Sequence, residues 1–237
     1  MRLGEGPIGS SGSSSTATSS LSTSTVAAPA GADGAACPTG QVSADEVLWI
    51  GDSWVVVPGT QHTRVRDRAR EAGAIGPDED YTYRAVPGAV MSAMFDVGDA
   101  GTIASQYGTQ ESGSTKVKVL IMDGGGFDLY VSSGSDAAVS SVTTAFEQLL
   151  ATIANDGTVQ QILYFLVPDS ASTGVDELRD GMQSACAASS VPCSFLNLQP
   201  TWMNHPEYTS GVLPTDAGAV ALGDAIWALM QQNCIAQ

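Results

Sequence analysis

Residues 46–54 read EVLWIGDSW: a continuous apolar run, then a glycine, a carboxylate and a serine. Unbroken apolar character, in place of strict alternation, predicts a strand covered on both faces, and Gly51-Asp52 supplies the turn that ends it. Similar β-rich runs recur at 81–86 (YTYRAV), 116–122 (KVKVLIM), 159–167 (VQQILYFLV) and 193–198 (CSFLNL). Helical sequence separates most of them. His62–Ala72 carries arginines at 64, 66, 68 and 70, read as a solvated face neutralised by nearby Asp and Glu. Asp136–Ala154 spaces Val139, Val142, Phe146, Leu149, Leu150 and Ile153 by threes and fours, an amphipathic pattern. Val175–Ala188 opens with acidic residues, and Asp216–Gln232 follows Pro214. The stretch 89–107 is interrupted by Gly98 and Gly101, and Met91 with Met94 reads as a helix face against the sheet. Five strand–helix alternations predict one three-layer α/β domain over 37–237 with a five-stranded parallel sheet.

Residues 1–36 have a different composition. Positions 10–25 are almost all Ser and Thr, and VAAPAGADGAA follows. Too little apolar surface is present to offset ordering entropy, which predicts a disordered tether. Arg2 is the one positive charge near the start and no apolar stretch of about 7–15 residues follows, so no complete export signal is read there.

With 9 Lys+Arg against 25 Asp+Glu, the formal net charge is −16. Such a surface repels phosphate backbones and anionic lipid, which speaks against nucleic acid as a partner. No run of about 18 apolar residues is present, so no membrane span is expected. His62 and His205 are the two histidines, too few for a multi-histidine metal site, and no ligand cluster implies a cofactor. Four cysteines allow three pairings. The short spacer AASSVP favours Cys186–Cys193, and the positions near the ends of the domain favour Cys37–Cys234; the alternative is four reduced, buried thiols. Oxidised cysteines, few lysines and a Ser/Thr-rich tether point to a secreted or cell-surface protein.

In parallel α/β sheets, ligands bind beyond the carboxyl ends of the strands. After the first strand, Ser53 is placed as a nucleophile, beside Asp52, which is expected to bond backbone amides of its own turn. After the second comes Pro87-Gly88, whose glycine amide can serve as an oxyanion donor. The third ends in Asp123-Gly124-Gly125-Gly126-Phe127-Asp128, another loop with free amides.

These blocks resemble the SGNH/GDSL hydrolase superfamily. The residues that carry the resemblance are VLWIGDSW around Ser53, VPG at Gly88, LIMDGGGFD at 120–128 and HPEYTSGVLPTDAGAVALGDAIW at 205–227. The resemblance implies a flavodoxin-like three-layer sheet and hydrolysis of acetyl, lipid or carbohydrate esters. It makes Ser53 the nucleophile and places the amides of Ser53 and Gly88, with Gly126 alongside, at the oxyanion hole.

The sequence departs from that pattern at the groups that move protons. The family's Gly-x-Asn-Asp falls on Gly125-Gly126-Phe127-Asp128, so Phe127 replaces the amide donor. Its Asp-x-x-His-Pro falls on Ser210-Gly211-Val212-Leu213-Pro214, so Leu213 replaces the general base and Ser210 its orienting acid. A register that uses His205-Pro206 puts Trp202 in the acid's place and loses the match of Pro214 and Gly218. A positioned base is worth ~10²–10⁴-fold in rate and an oxyanion donor ~10²–10³-fold, so the site is expected to be a poor esterase. Two readings follow. In one, a degenerate site with an apolar rim of Trp54, Phe127 and Leu213 binds a small ester or carbohydrate-type ligand, or builds a self-assembly. In the other, an active esterase uses Ser53 with a displaced base such as His205; His62, Asp123 and Asp128 are lesser candidates.

Overall fold

The strands of the sheet are β1 (Val47–Ile50), β2 (Thr82–Tyr83), β3 (Val119–Met122), β4 (Gln161–Leu166) and β5 (Cys193–Asn197). In the computed structural model, which describes residues 42–95, 98–108, 116–166 and 174–235, they pair in parallel in the order β2-β1-β3-β4-β5. Every residue of β1 and β3 is buried, and five of the six in β4, as their unbroken apolar runs predict. The edge strands β2 and β5 are half-buried. β2 is shorter than the run 81–86 because pairing beyond Tyr83 continues only as single bonds, from the Arg84 amide to the Trp49 carbonyl and from the Val86 amide to the Gly51 carbonyl.

The helices are α1 (Ser53–Val56), α2 (Thr60–Glu71), α3 (Ile103–Gly108), α4 (Gly126–Ser132), α5 (Asp136–Asp156), α6 (Val175–Ala188), α7 (Gln199–Trp202) and α8 (Asp216–Gln232). α2 packs against α8, and α5 against α6. Ser135 and Thr215 cap α5 and α8, their hydroxyls accepting from the Ala138 and Gly218 amides. The two large helix pairs are fixed differently. Val142, Phe146, Leu149 and Ile153 turn the predicted apolar stripe of α5 into the core. α5 is also the one helix among the described residues long and apolar enough to cross a membrane by length and composition. α2 instead bonds α8 through charge: Arg64 and Arg68 both donate to Asp224, while Arg66 pairs with Asp67 and Asp80. Three of the four arginines thus meet acids, two of them across a helix pair, and Arg70 donates to the Glu79 carbonyl.

Cys186 and Cys193 form a disulfide with Cα atoms 5.3 Å apart, joining the end of α6 to the start of β5. Cys37, and with it the expected Cys37–Cys234 bond, lies outside the described residues, as does the Ser/Thr-rich segment 1–36.

One predicted element is corrected. Residues 91–95 form no helix, and Met94 is 55% exposed where a core-facing position was expected; Met91 is buried. The Asp128 carboxylate accepts from the Met91 and Ser92 amides, both at 2.9 Å, and this holds the chain in a turn. A single 3-10 turn follows at Gly98–Ala100, and α-helix begins only at Ile103.

Candidate functional site

The strand order reverses between β1 and β3, and the loops leaving those strands converge there, where α/β sheets bind ligands. Ser53 is the first residue of α1 and is half-buried. Its hydroxyl oxygen accepts from the Gly88 amide at 3.3 Å, so the predicted nucleophile and the predicted oxyanion donor do meet. Asp52 bonds its own turn as expected, Oδ1 accepting from the Trp54 amide at 3.0 Å. Its Oδ2 also accepts from the Phe127 amide at 3.3 Å, which ties the serine turn to the loop after β3.

Gly51 makes this turn feasible. Its φ is +148°, and a Cβ there would stand 1.8 Å from Asp123 Oδ1. That space lets Asp123 Oδ1 accept from the Asp52 amide at 2.7 Å. Gln106 holds the other side: its Oε1 accepts from the Gly51 amide at 2.7 Å and its Nε2 donates to the Gly51 carbonyl at 2.9 Å. A side chain from α3 thereby holds both polar groups of the Gly51 backbone, whose carbonyl also accepts from the Val86 amide.

Three buried carboxyl groups sit around this turn: Asp52, Asp123 and Asp128. Burial pushes the Asp52 carboxyl up, against the pull of its hydrogen bonds to Asp123 and the Trp54 and Phe127 amides. Burial, with the adjacent Asp52 charge, pushes Asp123 far above the usual carboxylate range. Burial also moves Asp128 up to about 6, although two backbone amides favour its ionised form. The phenols of Tyr164 and Tyr83 are raised by burial and by the same carboxylates.

Leu213 and Phe127 both sit on segments that contact the serine turn. β6 (Thr209–Ser210) and β7 (Leu213–Pro214) form a two-residue antiparallel pair in which Ser210 is the register partner of Leu213. β7 packs on α1, and the Trp54 indole donates to the Val212 carbonyl at 2.8 Å, so this hairpin is fastened beside the serine helix. Leu213 is half-buried there. Phe127 lies over Gly88, with ring carbons 3.8 Å from where a glycine Cβ would be, and stacks on the exposed Tyr130. Phe127 and Leu213 are both half-buried. Trp54, expected at an apolar rim, is instead 3% exposed, packs on Trp202 and bonds the hairpin. Gly126 begins α4 and is half-buried, while the neighbouring Phe127 amide is committed to Asp52.

Neither histidine bonds Ser53. His205 Nδ1 lies 2.8 Å from Glu207 Oε1, and its ring stacks on Tyr208 at 4.4 Å with planes 9° apart. The segment is pinned further by the Thr215 amide and hydroxyl, which donate to the Tyr208 and Glu207 carbonyls. His62 stacks on Tyr83 and is held below its ordinary pKa by burial. In the sequence Asp123 stands out only as a stand-in base, and nothing local marks Gln106 or Tyr208 as part of the site. Gln106 lies 55 residues from Gly51, and no local pattern signals that pairing. Among the described residues no group of three His, Cys, Asp or Glu side chains is placed to hold a metal.

No family model and no curated protein matches the chain. Solved structures do. A putative platelet activating factor from Streptococcus pneumonia is similar at TM-score 0.59 and 16% identity, over 80% of this chain and 86% of that one. An active-site mutant of a family two carbohydrate esterase from Clostridium thermocellum, in complex with celluohexase, is similar at TM-score 0.58 and 13% identity, over 81% of this chain and 64% of that one. A putative GDSL-like lipase from Parabacteroides merdae is similar at TM-score 0.57 and 14% identity, over 83% of this chain and all of that one. With its 2-1-3-4-5 parallel sheet and a serine turn at the switch point, the chain has the SGNH/GDSL hydrolase fold.

Proposed function

We propose that the protein is an extracellular binding module built on a hydrolase fold, with ordinary esterase chemistry lost from its serine site. The observation that carries this reading is the surroundings of the Ser53 hydroxyl. Among the described residues its hydrogen-bond partner is the Gly88 amide, and no imidazole or carboxylate bonds it. An alcohol without a base remains protonated and is a weak nucleophile. Phe127 adds an aromatic wall where a side-chain amide would stabilise an oxyanion, and Leu213 adds hydrocarbon where a base would stand. An uncharged rim on a chain of net charge −16 suits a neutral ligand such as a small ester or a carbohydrate, or a second copy of the chain. The disulfide supports an oxidising compartment.

A second reading rests on the His205–Glu207 pair. An imidazole backed by a carboxylate is the right chemistry for a general base, and Glu207 is held below the usual carboxylate range by its bond to His205. Against it, the imidazole is held by Glu207 and Tyr208, away from any bond to Ser53. Hydrolysis of short-chain p-nitrophenyl esters by the wild type and by Ser53→Ala separates the two readings. Equal background rates are expected. A large Ser53-dependent rate would overturn the binding-module reading, and its loss in His205→Ala would establish the displaced base.

A further inference from the structure

The Asp52–Asp123 relationship carries an inference that stands whether or not the protein turns over esters. Both carboxyls are 1% exposed. Among the described residues no lysine, arginine or histidine pairs with either. Two ionised carboxylates at such a site would repel each other without solvent screening or a counter-charge. The groups facing them offer no cation. Asp128 approaches from α4 as a third acid; Tyr164 from β4 donates its hydroxyl to the Gly124 carbonyl at 2.7 Å; Tyr83 from β2 is a neutral phenol against which His62, whose pKa burial lowers, is stacked.

The hydrogen-bond inventory shows where a proton is needed. Asp52 Oδ1 and Oδ2 take backbone amides from Trp54 and Phe127, and Asp123 Oδ1 takes the Asp52 amide. Asp123 Oδ2 is buried and has no donor directed at it. A carboxylate oxygen has two acceptor sites, so Asp52 can accept once more, and a neutral Asp123 has one O–H to give. We propose that Asp52 and Asp123 hold one proton between them, and that neutral Asp123 is the positioning residue that fixes the Ser53 turn to the third strand. In this arrangement Asp123 accepts from the Asp52 amide through one oxygen and donates to the Asp52 carboxylate through the other. Asp52, held from both sides, links Ser53 to Phe127. Burial raises both groups, and the proton falls to Asp123 because both Asp52 oxygens already accept amides while Asp123 Oδ2 accepts none. Ionisation of Asp123 would place two anions face to face and drive apart the loops that bring Ser53 to the Gly88 amide.

The test is a titration of the intact wild-type chain labelled with ¹³C at the Asp carboxyl carbons. At pH 8, where Asp128 is ionised, one Asp carboxyl carbon is expected to remain at the protonated chemical shift and to be missing from the spectrum of Asp123→Asn. If every Asp carbon stands at the carboxylate shift at pH 8, the proposal is overturned, and this reading needs no variant to fold. Two variants add a functional contrast. Asp123→Asn keeps an acceptor for the Asp52 amide and a donor for the Asp52 carboxylate, so its melting temperature at pH 6 should stay within about 3 °C of wild type; Asp123→Leu, which keeps neither, should fall by about 8 °C or more. Above pH 8 the Asn variant should lose less melting temperature than wild type. Asn and Leu variants equally destabilised, with the same pH profile as wild type, would show that Asp123 merely fills space.

Discussion

Ser210 and Leu213 face each other across the β6–β7 hairpin as register partners, with Gly211 turning the chain at a φ of +65°. Two residues separate them, the spacing of an acid and a base in the family the sequence resembles, and the hairpin is fastened to the serine helix through Trp54. In the proposed reading, this hairpin keeps the place of a triad's acid and base without their ionisable groups. Ser210→Asp combined with Leu213→His should therefore raise p-nitrophenyl acetate hydrolysis by ~10²-fold or more over wild type. Adding Phe127→Asn should contribute up to a further ~10²-fold by restoring an oxyanion donor. No gain in a folded double variant would show that the hairpin is not aligned with Ser53.

His205→Ala should leave any residual hydrolysis unchanged, because its ring is committed to Glu207 and Tyr208. Steady-state rates on the same ester check this, and a drop of tenfold or more would contradict it.

Gly51→Ala should be among the most damaging single substitutions, costing about 3 kcal/mol or more in denaturant unfolding, because the new Cβ would fall 1.8 Å from Asp123 Oδ1 at a φ of +148°. Gly73→Ala is the control. It also has positive φ, +72°, but nothing lies within 4 Å of its Cβ, so it should cost only about 1 kcal/mol.

Stability should fall as pH rises through the range where Asp128 ionises. Its folded pKa of about 6 stands above an unfolded value of about 3.9, so its contribution is fully present below pH ~4 and is lost as pH passes through 6. The loss amounts to about 3 kcal/mol between these limits. Asp52 and Asp123 act in the same direction. His62, lowered by burial, acts in the opposite one, adding stability as pH rises. The difference between wild type and Asp128→Asn in urea unfolding from pH 4 to 7.5 isolates the Asp128 contribution, and parallel pH profiles would refute it.

Replacing Cys186 and Cys193 with alanine should cost about 2–3 kcal/mol, since the bond closes a short loop at a packed helix–strand junction. Mass spectrometry without reduction should recover the two peptides linked. Free thiols there in protein purified from an oxidising compartment would contradict the bond.

The sequence by itself determined the sheet's central strands, because 47–50, 119–122 and 161–166 are apolar without interruption and only burial on both faces accommodates that. It also determined α5 and α6, whose periodicity and acidic or serine starts are local properties, and its short spacer favoured the 186–193 bond. The local pattern at Met91 and Met94, read as a helix face, is overridden because Asp128, more than 30 residues on, claims the Met91 and Ser92 amides. Tertiary structure alone decided the rest: that Trp54 is a buried support, that His205 is held by its neighbours, that Gln106 clamps Gly51 from 55 residues away, and that Asp123 lies against Asp52. Each depends on two distant segments arriving at one point, and the energy of a buried charge or hydrogen bond is set by what arrives with it.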